Sequence, residues 1–398
     1  MSYVMQAILG NPKAPENGVA TVPFPLSEAE YDHSITTILE PMGIGSVVAQ
    51  DCFVEEIDSG YEILQRLKGQ MVNVDELDYL AKRLDSFDGY EAEQFQASCY
   101  AFGLRDIKDL INMTFCCQES TVISDFSKLE EAGKQHYLTT HGGAAPVDEI
   151  NAVDGKTLVE KLLESGEGRP TPYGLFFRNG MRMEERYHGV VFPPYSWAST
   201  QGEIEIKAQY GMTSYVFLPT TRLEMERFLQ RGRISNLSQC KLKLDLYFGA
   251  LDTIDLSGDP ESIWQWNDLC REVDALSPQE QQRLCAAMEI TGAEDIYQIQ
   301  TLLSSLNDFD LLPGVRDTES YGRYMIQKSG RYDYDESLDC YYNYEALGEF
   351  LLAHEIGQMT KQGYLKCEEG SAFLDFFVQA SPEQGQAQGE QSMQMGEM

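Results

Sequence analysis

Of 398 residues, 64 are acidic and 30 basic, a formal net charge of −34, and 42% are apolar. That apolar share suits a folded protein of two or three domains and excludes a disordered acidic polymer. The charge excludes a surface built mainly to bind nucleic acid or an anionic membrane, and it attracts basic partners instead. The excess is not a tail: residues 1–200 hold 31 acidic and 15 basic residues (−16), and the remainder 33 and 15 (−18).

In chain order, residues 1–17, with Pro12 and Pro15, read as a loose arm. Val19–Pro25 reads as a strand whose two prolines place it at a sheet edge. Ser27 and Glu30 have capping-box spacing, so a helix is expected over Glu28–Glu40, ended by Pro41, Gly43 and Gly45. Val47–Ile57 is the next strand, with Cys52, Val54 and Ile57 inward and Asp51, Glu55 and Asp58 outward. A helix follows from Asn73 to Phe87. Leu77, Leu80, Leu84 and Phe87 form its apolar stripe, and Asp75, Asp78 and Asp85 are expected on its other faces, toward solvent. Asp88 and Glu91 then cap a helix to about Ala101, and Gly103 sits where a left-handed residue ends it. Further helices are expected over Leu104–Met113, Lys128–Tyr137 and Asp154–Ser165. Tyr173–Met183 reads as a hairpin turning at Asn179-Gly180.

Much of this recurs 189 residues later. Leu80 falls on Leu269, Asp85 on Asp274, Glu91 on Glu280, Gly103 on Gly292, Asp106 on Asp295, Gly133 on Gly322 and Gly174 on Gly363, without a gap. Ser277 and Glu280, with Pro278 between them, repeat the cap spacing of Asp88 and Glu91. The strand–helix–strand plan of the N-terminal segment recurs over Tyr215–Pro219, Leu223–Leu229 and Lys241–Phe248. These matches predict an α+β fold: an elongated tandem array of small mixed modules in two similar lobes, 1–195 and 213–378. Residues 196–212 are expected as a linker, and the Gln- and Gly-rich 379–398 as a disordered tail. The copies differ in one place: Asp75, Glu76 and Asp78 face Trp264, Gln265 and Asn267.

Catalytic signatures are missing. There is no Walker A sequence, dinucleotide fingerprint, nucleophile elbow or HExxH, so no enzyme and no cofactor is expected. Cys116, Cys117, His136 and His141 are the best metal candidates, but adjacent cysteines lack the usual zinc spacing and the second copy keeps none of the four. Nine cysteines without paired spacing, no secretory pattern in Met1–Gly10 and no run near roughly 18 apolar residues point to a reducing cytoplasm. Arg227, Arg231 and Arg233 form a locally basic run too small for a nucleic-acid groove; it is expected to pair with carboxylates or with the other lobe. Tyr332, Asp333, Tyr334, Asp335 and Glu336 open a tyrosine–acid patch that could be a packed loop or a recognition surface.

The runs TVPFPLSEAEYDH, NVDELDYLAKRLDSF, DLINMTFCCQESTVISDF and YGLFFRNGM resemble ArdA-type antirestriction proteins of mobile genetic elements, over about residues 18–190. The resemblance implies an acidic DNA mimic, cytoplasmic, that occupies the DNA-binding groove of a type I restriction–modification enzyme. It implies no direct nucleic-acid binding and no membrane partner. The acids carried over are Asp51, Glu55, Asp58, Asp75, Glu76, Asp78, Asp85, Asp88, Glu91, Glu93, Asp106 and Asp109; Asp274, Glu280, Asp295 and the tyrosine–acid patch are the second-lobe candidates. Such units usually work as homodimers, so two lobes in one chain would make an intrachain pseudo-dimer, or the chain itself a homodimer. The alternative is an acidic interaction protein for another basic host or defence factor. Charge density fits the mimic: duplex DNA carries about one charge per 1.7 Å, so a net −34 equals roughly 60 Å of duplex.

Overall fold

The computed structural model describes residues 3–378 except 196, 198 and 209–211; the expected disordered tail lies outside the described residues. The chain forms two compact units, Met1–Lys243 and Leu244–Met398, and the fold class is α+β as expected.

The first unit opens with β1 (Met5–Gly10), β2 (Val19–Phe24), α1 (Glu28–His33), β3 (Cys52–Ser59) and β4 (Met71–Val72), in a sheet ordered β2-β1-β3-β4. β2 is the edge strand its prolines require. The expected loose arm is instead the central strand β1, because Met5, Ala7 and Leu9 alternate into the core and both flanks of β1 pair antiparallel.

A helical block follows: α2 (Val74–Asp85), α3 (Gly89–Ala101), α4 (Ile107–Met113), β5 (Thr121–Ile123), α5 (Leu129–Thr140), α6 (Val147–Ala152), α7 (Gly155–Glu164), β6 (Arg169–Thr171) and β7 (Gly174–Phe177). β7 is the centre of a sheet ordered β5-β7-β6. The hairpin therefore turns between Thr171 and Gly174, not at Asn179-Gly180. Asn179 and Gly180 do take left-handed conformations, but they end β7 and return no strand. The stripe of Leu77, Leu80 and Leu84 is fully buried, in one core with Phe24, Val54, Phe95 and Ile111.

The sheet module then returns as β8 (Gly202–Ala208), β9 (Thr213–Leu218), α8 (Arg222–Arg231), β10 (Cys240–Leu246) and β11 (Ile254–Asp255), ordered β11-β10-β8-β9. β8 occupies the stretch expected as a linker: Ile204 and Ile206 point inward, and every residue from Gly202 to Lys207 pairs with β9. The compact unit also does not end near 195. It runs into β10, since Phe217 belongs to the first unit's core and Leu223 and Phe228 pack on it.

The second unit repeats the helical block as α9 (Ile263–Asp274), α10 (Pro278–Thr291), α11 (Ile296–Ser304), β12 (Phe309–Pro313), α12 (Thr318–Gln327), α13 (Tyr344–Leu352), β13 (Gly357–Met359) and β14 (Gly363–Cys367), closed by α14 (Leu374–Val378). Its sheet order, β12-β14-β13, is that of the first copy. α2 and α9 start and end 189 residues apart, as do the starts of α3 and α10, α4 and α11, and β7 and β14. Gly174 and Gly363 show why a glycine recurs. Both have positive φ, and a Cβ there would lie 2.7 Å from the Ile123 carbonyl in one copy and 2.3 Å from the Leu312 carbonyl in the other.

Candidate functional site

The expected acidic surface separates into two populations. Glu55 and Asp58 on β3, with Asp85, Asp88 and Asp106 at helix ends, are exposed. Asp88 caps α3, accepting from the Glu91 amide at 2.8 Å while Glu91 accepts from the Asp88 amide at 3.1 Å. Asp106 caps α4 through the Lys108 amide at 2.9 Å. Glu91, Glu93 and Asp109 are half-buried. Burial, then the neighbouring Asp106, raises the Asp109 carboxyl above its ordinary range. Asp51 is half-buried and does not project outward as expected: it ties a turn by accepting from the Gly45 and Ser46 amides at 2.9 and 2.7 Å.

Asp75, Glu76 and Asp78 overturn their expected exposure. They are 7%, 4% and 4% exposed: α8 brings two arginines to Asp75 from more than 150 residues away, and Lys82 of the same helix pairs with Asp78. Arg227 grips Asp75 with two nitrogens, Nε to Oδ1 at 3.2 Å and Nη2 to Oδ2 at 3.0 Å, and donates to the carbonyls of Gly45 and Ser46. Arg231 lies 3.5 Å from Asp75 Oδ2, donates to Asn73 Oδ1 and to the Val190 carbonyl, and stacks 4.3 Å from the Phe192 ring centre. Tyr31 donates to Asp75 Oδ1 at 3.0 Å. Lys82, one turn beyond Asp78, sits 3.0 Å from it and 2.9 Å from Glu224 of α8. Asp78 also accepts from the Leu26 amide at 2.6 Å.

Burial raises the Asp78 carboxyl to about 6, against the pull of Lys82. It also raises Glu76, whose Oε1 accepts from Tyr187 at 2.8 Å and whose Oε2 is buried with no hydrogen-bond partner. For Lys82 burial opposes the charge, but Asp78 and Glu224 outweigh it and the amine is held charged. The cavity at the centre of this cluster measures about 20 Å³, room for about one water and no substrate. Chemically the cluster is a joint. It fastens the second sheet module to α2 and to the loops of the first sheet, with Asp75, Asp78 and Glu224 in ion pairs and Glu76 held through Tyr187.

Sequence reasoning misses Glu224 and Tyr187, and it reads Asn73 only as the start of a helical stretch and Lys82 only as a cation interleaved with acids. One signal was available: Arg227 and Arg231 lie one turn apart on one helix face, and their expected pairing with carboxylates is what the structure displays.

In the second unit Asp274, Asp295, Tyr332, Asp333, Asp335 and Glu336 are exposed, whereas Glu280 and Tyr334 are half-buried. Asp295 caps α11, accepting from the Gln298 amide at 2.9 Å. Ser277 and Glu280 form the expected capping box, and the Ser277 bonds lower the Glu280 carboxyl. Tyr334 donates to Asp339 at 2.6 Å, so part of the tyrosine–acid patch is spent on its own loop. Among the described residues no three His, Cys, Asp or Glu side chains converge to hold a metal. Cys116 and Cys117 are buried, and His136 meets Thr121 at 2.8 Å. No described helix is long and apolar enough to cross a membrane.

No protein-family model and no curated protein matches the sequence.

Proposed function

We propose that this chain is an antirestriction DNA mimic of the cytoplasm, not an enzyme, which occupies the DNA-binding groove of a type I restriction–modification enzyme. One observation carries the reading. The buried cluster removes four carboxylates (Asp75, Glu76, Asp78, Glu224) and three cations (Lys82, Arg227, Arg231) from the surface. Their sum is −1, so of the −34 about −33 stays outside the cluster. Glu55, Asp58, Asp85, Asp88 and Asp106 belong to that exposed charge. A mimic acts through its summed field, so these acids are singly replaceable and collectively required.

The test is a titration of the full chain into a type I restriction–modification complex on labelled duplex, at low and at moderate salt. Displacement by equimolar protein, reversed by unlabelled duplex and weakened by salt, is the expected result. Combined neutralisation of the five exposed acids should abolish displacement while leaving the fold intact. No displacement at either salt would sink the reading.

A second reading, an acidic interaction protein for another basic host or defence factor, is favoured by one region. Tyr341 and Phe350 are 82% and 64% exposed, in the same stretch as the exposed Asp333, Asp335 and Glu336. Exposed aromatics beside acids are the anchors such an interface uses. Binding that survives moderate salt and falls with Tyr341→Ala would select this reading over the first.

A further inference from the structure

Four cations in this acidic chain line two adjoining cavities that hold one carboxylate, Glu205. Lys207 is the last residue but one of β8, and Lys241 and Lys243 alternate along β10, its neighbour in the sheet. Residues two apart on a strand share a face, and here the intervening Leu242 is buried while both lysines are exposed. The three lysines line a cavity of about 650 Å³ with Glu205, Ala208 and Gln239. A second cavity, of about 630 Å³, shares Ala208 and Gln239 and adds Arg233. Among the described residues none of the four cations has a carboxylate within ion-pair distance. Lys82, Lys108, Lys134, Arg227, Arg271 and Arg323 sit in ion pairs, while among the described residues Arg66, Lys68 and Arg105 lack one too; what sets the four apart is that they line adjoining cavities.

Arg233 adds a separate observation. Its φ is 56°, a left-handed conformation disfavoured for any residue but glycine. The amides of Arg233 and Ile234 bond the carbonyls of Gln230 and Leu229 and close α8. An arginine thus stands where glycine would cost least, and it is an exposed residue that lines the cavity.

We propose that these joined cavities bind a compact polyphosphate, either a nucleoside triphosphate or an inorganic phosphate chain, through Lys207, Lys241, Lys243 and Arg233. One exposed charge pair is worth only about fivefold in affinity, so a monoanion gains too little and several adjacent phosphates are required. Each cavity has the size of small-ligand sites. Long duplex is the poorer occupant, because it would run beyond this local +3 (four cations and Glu205) onto the rest of a chain at −34. A compact ligand feels mainly charges within a Debye length of about 8 Å.

The test is calorimetric titration of the full chain with inorganic triphosphate and, separately, with ATP, at low and at high salt. One saturable site is expected, weakened by salt and about a hundredfold by the triple variant Lys207→Gln, Lys241→Gln, Lys243→Gln, whose side chains are all exposed. Arg233→Gly should weaken binding about fivefold while the melting temperature holds or rises, which separates a ligand contact from a structural role. Equal affinity for both probes assigns the phosphates alone as the ligand; tighter ATP adds the nucleoside. No saturable binding at low salt, or unchanged affinity in the triple variant, would overturn the assignment. So would tighter binding of a duplex oligonucleotide than of triphosphate, or self-association of the wild type that the triple variant abolishes, which would give the face to a second copy.

Discussion

Helices α2 and α9 occupy the same place in two copies of one plan, and their charges differ in a coordinated way. α2 buries Asp75, Glu76 and Asp78, and its Lys82 is buried with them. At the matching positions α9 carries Trp264, Gln265 and Asn267, and the residue matching Lys82 is Arg271, whose ion pair with Asp268 lies at the surface. The acids and the buried lysine come and go together. A carboxylate enters a protein interior where an opposite charge meets it. For Asp75 the charges come from α8, as Arg227 and Arg231; for Asp78 the charge is Lys82 of α2 itself, which α8 engages through Glu224. The module whose boundary the sequence misjudged is therefore the one that explains the composition of α2.

Four experiments would break or sharpen this comparison. The largest effect is expected from Arg227→Ala, which leaves Asp75 buried with half its compensation. Chemical denaturation should show a loss of about 3–5 kcal/mol, and Arg271→Ala, at the exposed pair, about 1 kcal/mol or less. Equal losses would mean that the α2 cluster is no joint. Next come Gly133→Ala and Gly322→Ala. In each case a Cβ would sit 1.9 Å from a carbonyl oxygen, of Gly155 or of Tyr344. Overpacking should cost about 1–3 kcal/mol in both copies, and a loss confined to one copy would deny that the helix contact is conserved between them.

The third experiment uses pH. Burial sets the Asp78 carboxyl at about 6 in the folded chain, above its ordinary 3.8. Its protonated form is thus the one folding favours. The stability from this group is fully present below about pH 3.8 and is lost as pH rises through 6. Lowering the pH from neutral to about 5 should raise stability by roughly 1–2 kcal/mol through this group, with Glu76 shifted in the same direction. Relief of self-repulsion adds to the raw curve, so the measurement is the difference between wild type and Asp78→Asn, which should lose this component. A curve unchanged by Asp78→Asn would show that Asp78 ionises normally. The smallest effects are expected at the caps: Asp88→Ala and Ser277→Ala should each cost about 1 kcal/mol by thermal melting. A clear inequality would separate two capping boxes that have the same bonds in both copies.

The errors of the sequence reading also come in matched pairs. The sequence alone predicts a loose arm at β1 and a linker at β8, yet each pairs along its length with the strand that follows it in its module. Met5, Ala7 and Leu9, like Ile204 and Ile206, alternate correctly, but six or seven residues beside loops of Pro, Gly and charge give a weak signal. A short strand is defined by what it pairs with.

What the sequence determined by itself is whatever acts within a few residues. The starts of α3 and α10 follow from Asp88, Ser277 and their N3 glutamates. The recurrence of Gly174 at Gly363 follows from a close approach of backbones that admits no side chain. The tandem plan is legible because such devices repeat at one spacing, and the net charge is simple counting. Only the tertiary structure decided which acids face water. Asp75 and Asp85 look alike on a helical wheel, both off the leucine stripe. One is buried and the other exposed because two arginines more than 150 positions away reach the first and not the second. Ionic burial is a property of pairs, and the partners here are distant in sequence.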